Sequence, residues 1–162
     1  MIRSLEAEED WPFFEPDCAL SQSRRSLIRP LSQQGASAFW EAHISSDRLA
    51  RHPMLLPRHH WLASGIQEPD RLRDISRNAP AAPMHASVTA LLVEEFGLNN
   101  EEEVFFVLMK ERIYATEFGL FSAYWEQFLM LGDEGPFLFH PPTGRYAQFS
   151  PHGRLSFGTR AG

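Results

Sequence analysis

The chain has 162 residues, 43% of them hydrophobic, with a formal net charge of −6 and a single cysteine, Cys18. This length suits one domain, residues 1–162, that folds without disulfides or metal. No window approaches the ~18 consecutive apolar residues of a membrane span, and the acidic N-terminus lacks the apolar stretch of a signal peptide. Because a lone cysteine also gives no sign of secretion, we expect a cytoplasmic protein that does not bind membranes.

The first third of the chain predicts short elements. Residues 1–20 are acidic and contain two prolines, so they are predicted to be irregular apart from a short edge strand at 2–5. Ser21 and Ser32 are suited to cap two helices, the first of which ends before Pro30. The second helix places one apolar stripe on the domain; its residues are Ala36, Phe39, Trp40 and Ile44.

The middle of the chain, residues 46–83, is predicted to be rich in loops because it contains five prolines. Only residues 70–77 have a helical pattern there. A loop-rich stretch of this length in a compact domain indicates a functional or flexible segment. A regular helix is predicted next, over residues 84–96, and Gly97 is suited to end it.

The last third predicts most of a sheet. Residues 104–109 form a continuous apolar run typical of a buried central strand, and an amphipathic helix is predicted to follow a cap at Thr116. Three short strands separated by turn residues then form a β-meander; they cover residues 137–139, 145–149 and 154–157. Residues 104–162 would be the sheet core of an α+β fold, with a mostly antiparallel sheet of about four strands and helices packed on one face.

Charge is segregated along the sequence. Residues 21–77 carry nine arginines against five acidic residues, whereas residues 94–134 carry ten acidic residues against Lys110 and Arg112. In one interpretation these blocks neutralise each other inside the fold. In the other, residues 94–103 and 133–134 form an acidic face that attracts a basic partner.

Motifs for catalysis are absent from the sequence, which has no nucleophile elbow, phosphate loop or dinucleotide fingerprint. We therefore expect no catalytic residues and no cofactor. The histidines near the middle, His43, His52, His59 and His60, lack the spacing of a zinc motif, and adjacent histidines in an extended chain point apart. A small metal-dependent enzyme that uses this cluster remains the alternative function.

Two further features could bind a partner. Trp61 lies beside Arg58, His59 and His60, and tryptophan and arginine are frequent at interface hot spots; in the simpler interpretation it holds a long loop against the core. Arg24, Arg25 and Arg29 form a basic cluster that could contact phosphates. Because the sequence pI is about 5.6, far from that of a basic nucleic-acid-binding domain, we do not expect nucleic-acid binding.

A set of residues spread over the chain forms a recognisable pattern: Arg29-Pro30, Trp40, His43, Ile44, Trp125, Phe128, Leu129, Leu131, Asp133, Gly135-Pro136, Gln148-Phe149, Gly153 and Gly158. In these segments the chain resembles a family of small stand-alone gammaproteobacterial proteins, domain-of-unknown-function family 2947. That resemblance implies no activity and no catalytic residues. The order of elements also resembles SUKH-type immunity proteins, as an analogy of architecture alone.

The sequence favours a non-enzymatic protein-binding domain. Its concrete form is an immunity protein or inhibitor whose acidic face masks a basic bacterial toxin, because net charge complementarity accelerates encounter. Its oligomeric state stays open. The residues predicted to bind the partner are Glu94, Glu95, Glu101, Glu102, Glu103, Asp133, Glu134 and Trp61.

Overall fold

A computed structural model describes residues 1–65, 72–74, 81–132, 134–150 and 153–160. It contains one antiparallel sheet of seven strands in the order β1-β4-β3-β5-β6-β7-β2. The long central strands β3 and β4 are joined by a tight turn, and β5, β6 and β7 form the predicted meander. The strands are β1 Arg29–Pro30, β2 Leu72–Asp74, β3 Glu103–Met109, β4 Arg112–Glu117, β5 Phe137–His140, β6 Arg145–Phe149 and β7 Arg154–Thr159.

The helices Gln22–Arg25 and Gln33–His43 begin directly after the predicted serine caps, whereas the helix Trp61–Gly65 lies where a loop was predicted and the next helix begins at Ala81 rather than at residue 84. The side chains of Ser21 and Ser32 each accept a hydrogen bond from the first turn of a helix, and Gly97 follows the fourth helix with a φ of +60°. Within the described residues, no helix combines the length and apolar character needed to cross a membrane. The helices are α1 Gln22–Arg25, α2 Gln33–His43, α3 Trp61–Gly65, α4 Ala81–Phe96 and α5 Phe118–Leu129.

The two faces of the sheet are both covered, so the predicted α+β class is confirmed but its layering is not. On the first face, Val104, Phe106 and Leu108 of β3 pack with apolar residues of α4 and α5. On the second face, Val107 and its neighbours pack with α2, α3 and the segment at 50–56. The prediction of helices on one face is wrong, because a continuous apolar strand such as 104–109 is buried on both sides.

The count of about four strands is also wrong. Residues 112–117 form a strand paired with β3, where no strand was predicted; the helix predicted to follow Thr116 is present but begins at Phe118, with Glu117 rather than Thr116 as its N-cap residue. Residues 72–74, predicted to be helical, pair instead with the edge of β7, because cross-strand hydrogen bonding outweighs a weak local preference. The predicted strand at 2–5 is a single bridge between Ile2 and Leu31.

A buried charged cluster attaches the N-terminal segment to β4. Asp10 is fully buried and accepts hydrogen bonds from Arg3 Nη1 and Nη2 at 2.8 and 2.9 Å, from the Glu6 N–H at 2.8 Å and from the Tyr114 hydroxyl at 2.6 Å. Burial alone raises the pKa of Asp10, but these donors outweigh it and lower its pKa. Burial and Asp10 raise the pKa of Tyr114 to about 12. The segment at 1–20, predicted to be irregular, contains two short 3₁₀ helices, Trp11–Phe14 and Pro16–Cys18, and this cluster holds it against β4.

The meander contains two contacts that explain residues of the family resemblance. Gln148 is buried and its Nε2 donates to the carbonyl oxygen of Gly135 at 3.1 Å, which ties the loop before β5 to the sheet. Gly158 lies directly opposite Tyr146 on the neighbouring strand, and a Cβ at this position would overlap the tyrosine ring. Both positions are therefore restricted by close packing.

Candidate functional site

One end of the sheet collects most of the predicted partner-binding residues. Glu103 begins β3, and Glu101 and Glu102 lie in the loop before it. Glu94 and Glu95 lie in the last turn of α4, whose terminal residue Phe96 packs against Phe118 at a centroid distance of 5.6 Å. Glu117 ends β4 at the same edge. We name these six carboxylates the acidic end: Glu94, Glu95, Glu101, Glu102, Glu103 and Glu117.

Of the two remaining predicted acidic residues, Glu134 does not join this surface. Glu134 precedes β5, and β5 begins at Phe137 beside Val107, near the far end of β3. The six residue steps of β3 separate the two ends by about 20 Å. Asp133 lies outside the described residues. Glu134 is therefore separated from the glutamates at 94–103 by the length of β3, and the part of the prediction that concerns Asp133 stays a prediction.

Arginines of the 21–77 block neutralise some carboxylates, as the first interpretation of the charge pattern proposed. Arg29 pairs with Glu103, and Arg51 pairs with Glu111. Neutralisation is incomplete at the acidic end. The side chains of Glu94, Glu95 and Glu101 make no ion pair with another residue in the described part of the chain, and Glu94 and Glu101 are exposed. The electrostatic field of these residues therefore reaches the solvent.

A like-charge pair lies at the centre of the acidic end. Glu103 and Glu117 are direct partners in the register of β3 and β4, so their side chains leave the sheet on the same face. Like charges directly opposite each other on neighbouring strands destabilise a sheet. Arg29, the register partner of Ala115 on the next strand, compensates Glu103. Among the described residues no cation pairs with Glu117.

His140 supports the loop that carries Glu102. It is 3% exposed, and its Nδ1 lies 2.8 Å from the Thr143 hydroxyl while its Nε2 lies 3.4 Å from Glu102 Oε2. Burial lowers the pKa of His140; Glu102 raises it and Arg145 lowers it, and the net effect is a lowered pKa. Near neutral pH the imidazole of His140 is therefore uncharged and does not form an ion pair with Glu102.

Aromatic side chains adjoin the acidic end on the second face of the sheet. Phe39 of α2 packs on Phe105 of β3 with ring centroids 4.3 Å apart, and His43 lies one helical turn further at 4.7 Å from Phe39. All three rings are half-buried. Burial, followed by the charge of Arg160, lowers the pKa of His43. We name Phe39, His43 and Phe105 the aromatic corner, because helix and strand meet there at an angle.

Trp61 lies on the same face but serves the core. Its ring centroid is 5.4 Å from that of Phe139 and 5.2 Å from that of Tyr146, and the Tyr146 hydroxyl donates to the Trp61 carbonyl oxygen at 3.2 Å. The indole is half-buried against the second core cluster. These contacts match the simpler interpretation, in which Trp61 holds the loop, rather than that of an exposed anchor.

The candidate metal-ligating histidines have other roles. His60 Nε2 lies 2.7 Å from the Ile44 carbonyl oxygen and its Nδ1 accepts from the Leu62 N–H, so both ring nitrogens are engaged. His52 Nδ1 accepts from the Met54 N–H. Across residues 1–65, 72–74, 81–132, 134–150 and 153–160, no group of three or more His, Cys, Asp and Glu side chains is placed to hold a metal ion. These contacts give the metal-dependent alternative no support.

Glu117, Arg29, Phe39 and Phe105 belong to the site but were not predicted as site residues. The strand that carries Glu117 was missed, so its pairing with Glu103 could not be seen. A signal existed in the alternation of Ile113, Ala115 and Glu117 with Tyr114 and Thr116, but the aromatic helix that follows masked it. Arg29 was assigned to a helix end rather than to an edge strand.

Comparison with known proteins gives a family without an activity. A family model described as "Protein of unknown function (DUF2947)" matches residues 4–158. Searches of curated proteins and of solved structures find no match to the chain. The architectural analogy with SUKH-type immunity proteins therefore stays a prediction.

Proposed function

Since the chain belongs to the DUF2947 family, whose description assigns no activity, we propose a function from the surface of the chain itself. We propose that it is a non-enzymatic protein-binding domain whose acidic end binds a basic segment of another protein. The observation that carries this proposal is the incomplete neutralisation of the acidic end. Glu94, Glu95 and Glu101 lack a cationic partner among the described residues, although arginines neutralise carboxylates elsewhere on the same molecule.

Local energetics support the proposal. Like charges directly opposite each other on neighbouring strands lower the stability of a sheet; Arg29 reduces this repulsion at Glu103, and the N-terminus of α5 reduces it at Glu117. Arg29 pairs with Glu103, and Arg145 donates to the Phe96 carbonyl oxygen close to Glu94 and Glu95. A basic partner would supply the positive charge that these two arginines do not provide. Its binding would relieve the repulsion between these carboxylates and would weaken at high salt, because exposed charges are screened within about 8 Å at physiological ionic strength.

The concrete form of the proposal is an inhibitor or immunity protein that masks a basic bacterial toxin. Complementary fields accelerate association more than they tighten a complex, which suits a protein that must reach its target quickly. The chain's net charge of −6 adds a long-range contribution of the same sign. Within this proposal the protein acts by covering a surface and performs no chemistry.

The experiment compares two triple variants with the same net charge. The first, Glu94→Gln/Glu95→Gln/Glu101→Gln, removes the unpaired carboxylates of the acidic end. The control, Glu8→Gln/Glu15→Gln/Glu134→Gln, removes three exposed carboxylates elsewhere. Partners captured from native lysate at low salt are identified by mass spectrometry, and each interaction is then measured with purified proteins.

We expect one basic protein to be retained by the wild type and the control, with an association rate constant at least tenfold lower for the acidic-end variant. Equal rate constants for the two triple variants would show that net charge alone attracts the partner, and the proposal would fail. Capture of partners that are not basic would also contradict it.

A further inference from the structure

We propose that a cleft beside α1 binds a small carboxylate that carries an apolar chain. The cleft has a volume of about 500 Å³, within the range of ligand-binding pockets. It lies between the N-terminal residues 2–5, Phe14 and the segment that leads from α1 to β1. The inference goes beyond the proposed function, because none of the six carboxylates of the acidic end borders this cleft.

Contacts of the N-terminal segment fix the walls of the cleft. The N–H of Arg3 donates to the Pro30 carbonyl oxygen at 2.9 Å, and Ile2 forms a bridge with Leu31 directly after β1. The guanidinium of Arg3 also binds the buried Asp10. Because backbone and side-chain contacts both hold this segment, the fold itself forms the cleft, and binding requires little rearrangement.

The floor and one edge of the cleft are apolar. Ile28 is buried, and Leu5 and Phe14 are partly buried against the first core cluster. Ile2 borders the same cleft and is 55% exposed. An apolar chain that covered these side chains would leave water, and each methylene group that is fully buried tightens binding about fourfold. The cleft therefore favours a ligand with several methylene groups.

One guanidinium in the cleft has no carboxylate partner. Three arginines border the cleft and no acidic residue does, although the chain has 21 acidic residues against 15 lysines and arginines. Arg3 and Arg29 already pair with carboxylates, whereas Arg25 forms no ion pair in the described part of the chain. The guanidinium carbon of Arg25 lies 4.7 Å from the centroid of the Phe14 ring, so a positive charge stands directly beside the apolar floor.

Arg25 and the floor together select the chemistry of the ligand. A carboxylate would neutralise the guanidinium through charge-assisted hydrogen bonds, and Gln22, three residues earlier in α1, brings an amide donor to the same cleft. Arg25 would repel a cationic head group, and an inorganic anion would leave the apolar floor uncovered. A neutral chain would leave Arg25 without a counter-charge. A carboxylate with an apolar chain satisfies both parts of the cleft.

The test titrates the whole isotope-labelled chain with octanoate, hexanoate, octanol, octylamine and acetate, followed by NMR at constant ionic strength and below the critical micelle concentrations. We expect saturable shifts of the amides of Leu5, Phe14 and Ser26 with octanoate. Acetate and octylamine should bind about tenfold more weakly than octanoate. Hexanoate, which is shorter by two methylene groups, should bind about fivefold more weakly.

Two variants separate the contribution of the charge from that of the apolar floor. Arg25→Gln should weaken octanoate binding about fivefold and leave octanol binding unchanged, because only the carboxylate uses the guanidinium. Ile2→Ser, at an exposed position, should weaken both ligands about twofold. Arg48→Gln removes an exposed arginine outside the cleft and should change neither. Dispersed spectra of each variant establish that it is folded.

Several results would overturn the inference. Equal binding of octanoate to the wild type and to Arg25→Gln would show that an apolar patch acts without the charge. Acetate that binds as tightly as octanoate would show a site for simple anions. Shifts that do not saturate, or that lie away from the cleft, would show that octanoate has no site there.

The inference and the proposed function fail separately. The triple variant Glu94→Gln/Glu95→Gln/Glu101→Gln should bind octanoate as the wild type does, because these residues lie outside the cleft. If Arg25→Gln leaves octanoate binding unchanged while the triple variant loses its protein partner, only the inference about the cleft fails. If octanoate binds as expected and the two triple variants behave alike toward the partner, only the proposed function fails.

Discussion

The Asp10 cluster and the acidic end differ in how their carboxylate charges are compensated. Asp10 is fully buried, and four donor atoms from Arg3, Glu6 and Tyr114 satisfy its carboxylate. At the acidic end, Arg29 compensates Glu103, while Glu117 directly opposite has no cation among the described residues. A buried charge must be compensated by the fold itself, whereas an exposed charge can be left for another molecule. This contrast separates structural carboxylates from candidate binding carboxylates.

The largest expected change in the free energy of unfolding is that of Asp10→Ala, which tests whether the Asp10 cluster stabilises the fold. Removal of one partner of a buried charge pair leaves the other without compensation, so we expect a loss of about 3 kcal/mol in the free energy of unfolding. Urea denaturation measures it, and Asp17→Ala, at an exposed position, should change stability by less than about 0.5 kcal/mol. A small effect of Asp10→Ala would mean that the cluster does not hold the N-terminal segment.

The substitution Trp61→Ala tests whether Trp61 stabilises the core or binds the partner. Because its half-buried indole packs on Phe139 and Tyr146, we expect Trp61→Ala to lower the free energy of unfolding by about 2 kcal/mol. The partner's dissociation constant, measured under conditions where the variant is folded, should stay within about threefold of the wild-type value. A large loss of affinity for the partner with an unchanged free energy of unfolding would show that Trp61 binds the partner.

The pH dependence of stability distinguishes the two regions further. The pKa of Asp10 is lowered, so its contribution is present above the unfolded-state pKa of about 4 and is lost only as the pH falls through the lower folded-state pKa. The pKa of His140 is also lowered, so its contribution is present above about pH 6.5 and declines as the pH falls below that value.

We therefore expect the unfolding free energy of the wild type to decrease between about pH 7 and pH 5, through His140 and, in the same direction, through His43 and His60. Denaturation curves at a series of pH values measure this slope. His140→Gln should reduce the slope without removing it. An unchanged slope in that variant would show that His140 titrates alike in the folded and unfolded chains.

The smallest expected effect on the free energy of unfolding is an increase, in the variant Glu117→Gln. Glu117→Gln removes the like-charge contact with Glu103, so we expect the free energy of unfolding to rise by about 0.3 kcal/mol at low salt. The gain should shrink as salt is added, and Glu134→Gln serves as the control. A destabilised Glu117→Gln would indicate that Glu117 has a stabilising contact and is not a carboxylate reserved for a partner.

Local signals in the sequence predicted much of the secondary structure. The serine caps, Gly97 and the turn residues of the meander act within a few positions of themselves, and the elements they bound are present. Residues 112–117 were missed because Thr116, a good cap residue, precedes a strongly amphipathic helix. Its actual place in β4 depends on pairing with β3, which no short window contains.

Less of the candidate site than of the secondary structure could be predicted from the sequence. The five glutamates at 94–103 were found because they are close together in sequence. Phe105 follows Glu103 on the same strand, but the contributions of Arg29, Phe39 and Glu117 require three further elements, β1, α2 and β4, which only the fold brings together. The acidic residues at 133–134 were joined to the same face because charge blocks in a sequence carry no direction in space.

By itself, the amino-acid sequence determined the α+β class, the serine caps of α1 and α2, the end of α4 at Gly97 and an excess of negative charge at residues 94–134. Only the tertiary structure decided that the sheet has a helical layer on each side, that β1 places Arg29 beside Glu103, and that Glu134 lies at the opposite end. The two kinds of feature depend on interactions that act over different distances along the chain. Capping and periodicity act over one or two helical turns, whereas strand order and ion pairing form only when distant segments pack against one sheet.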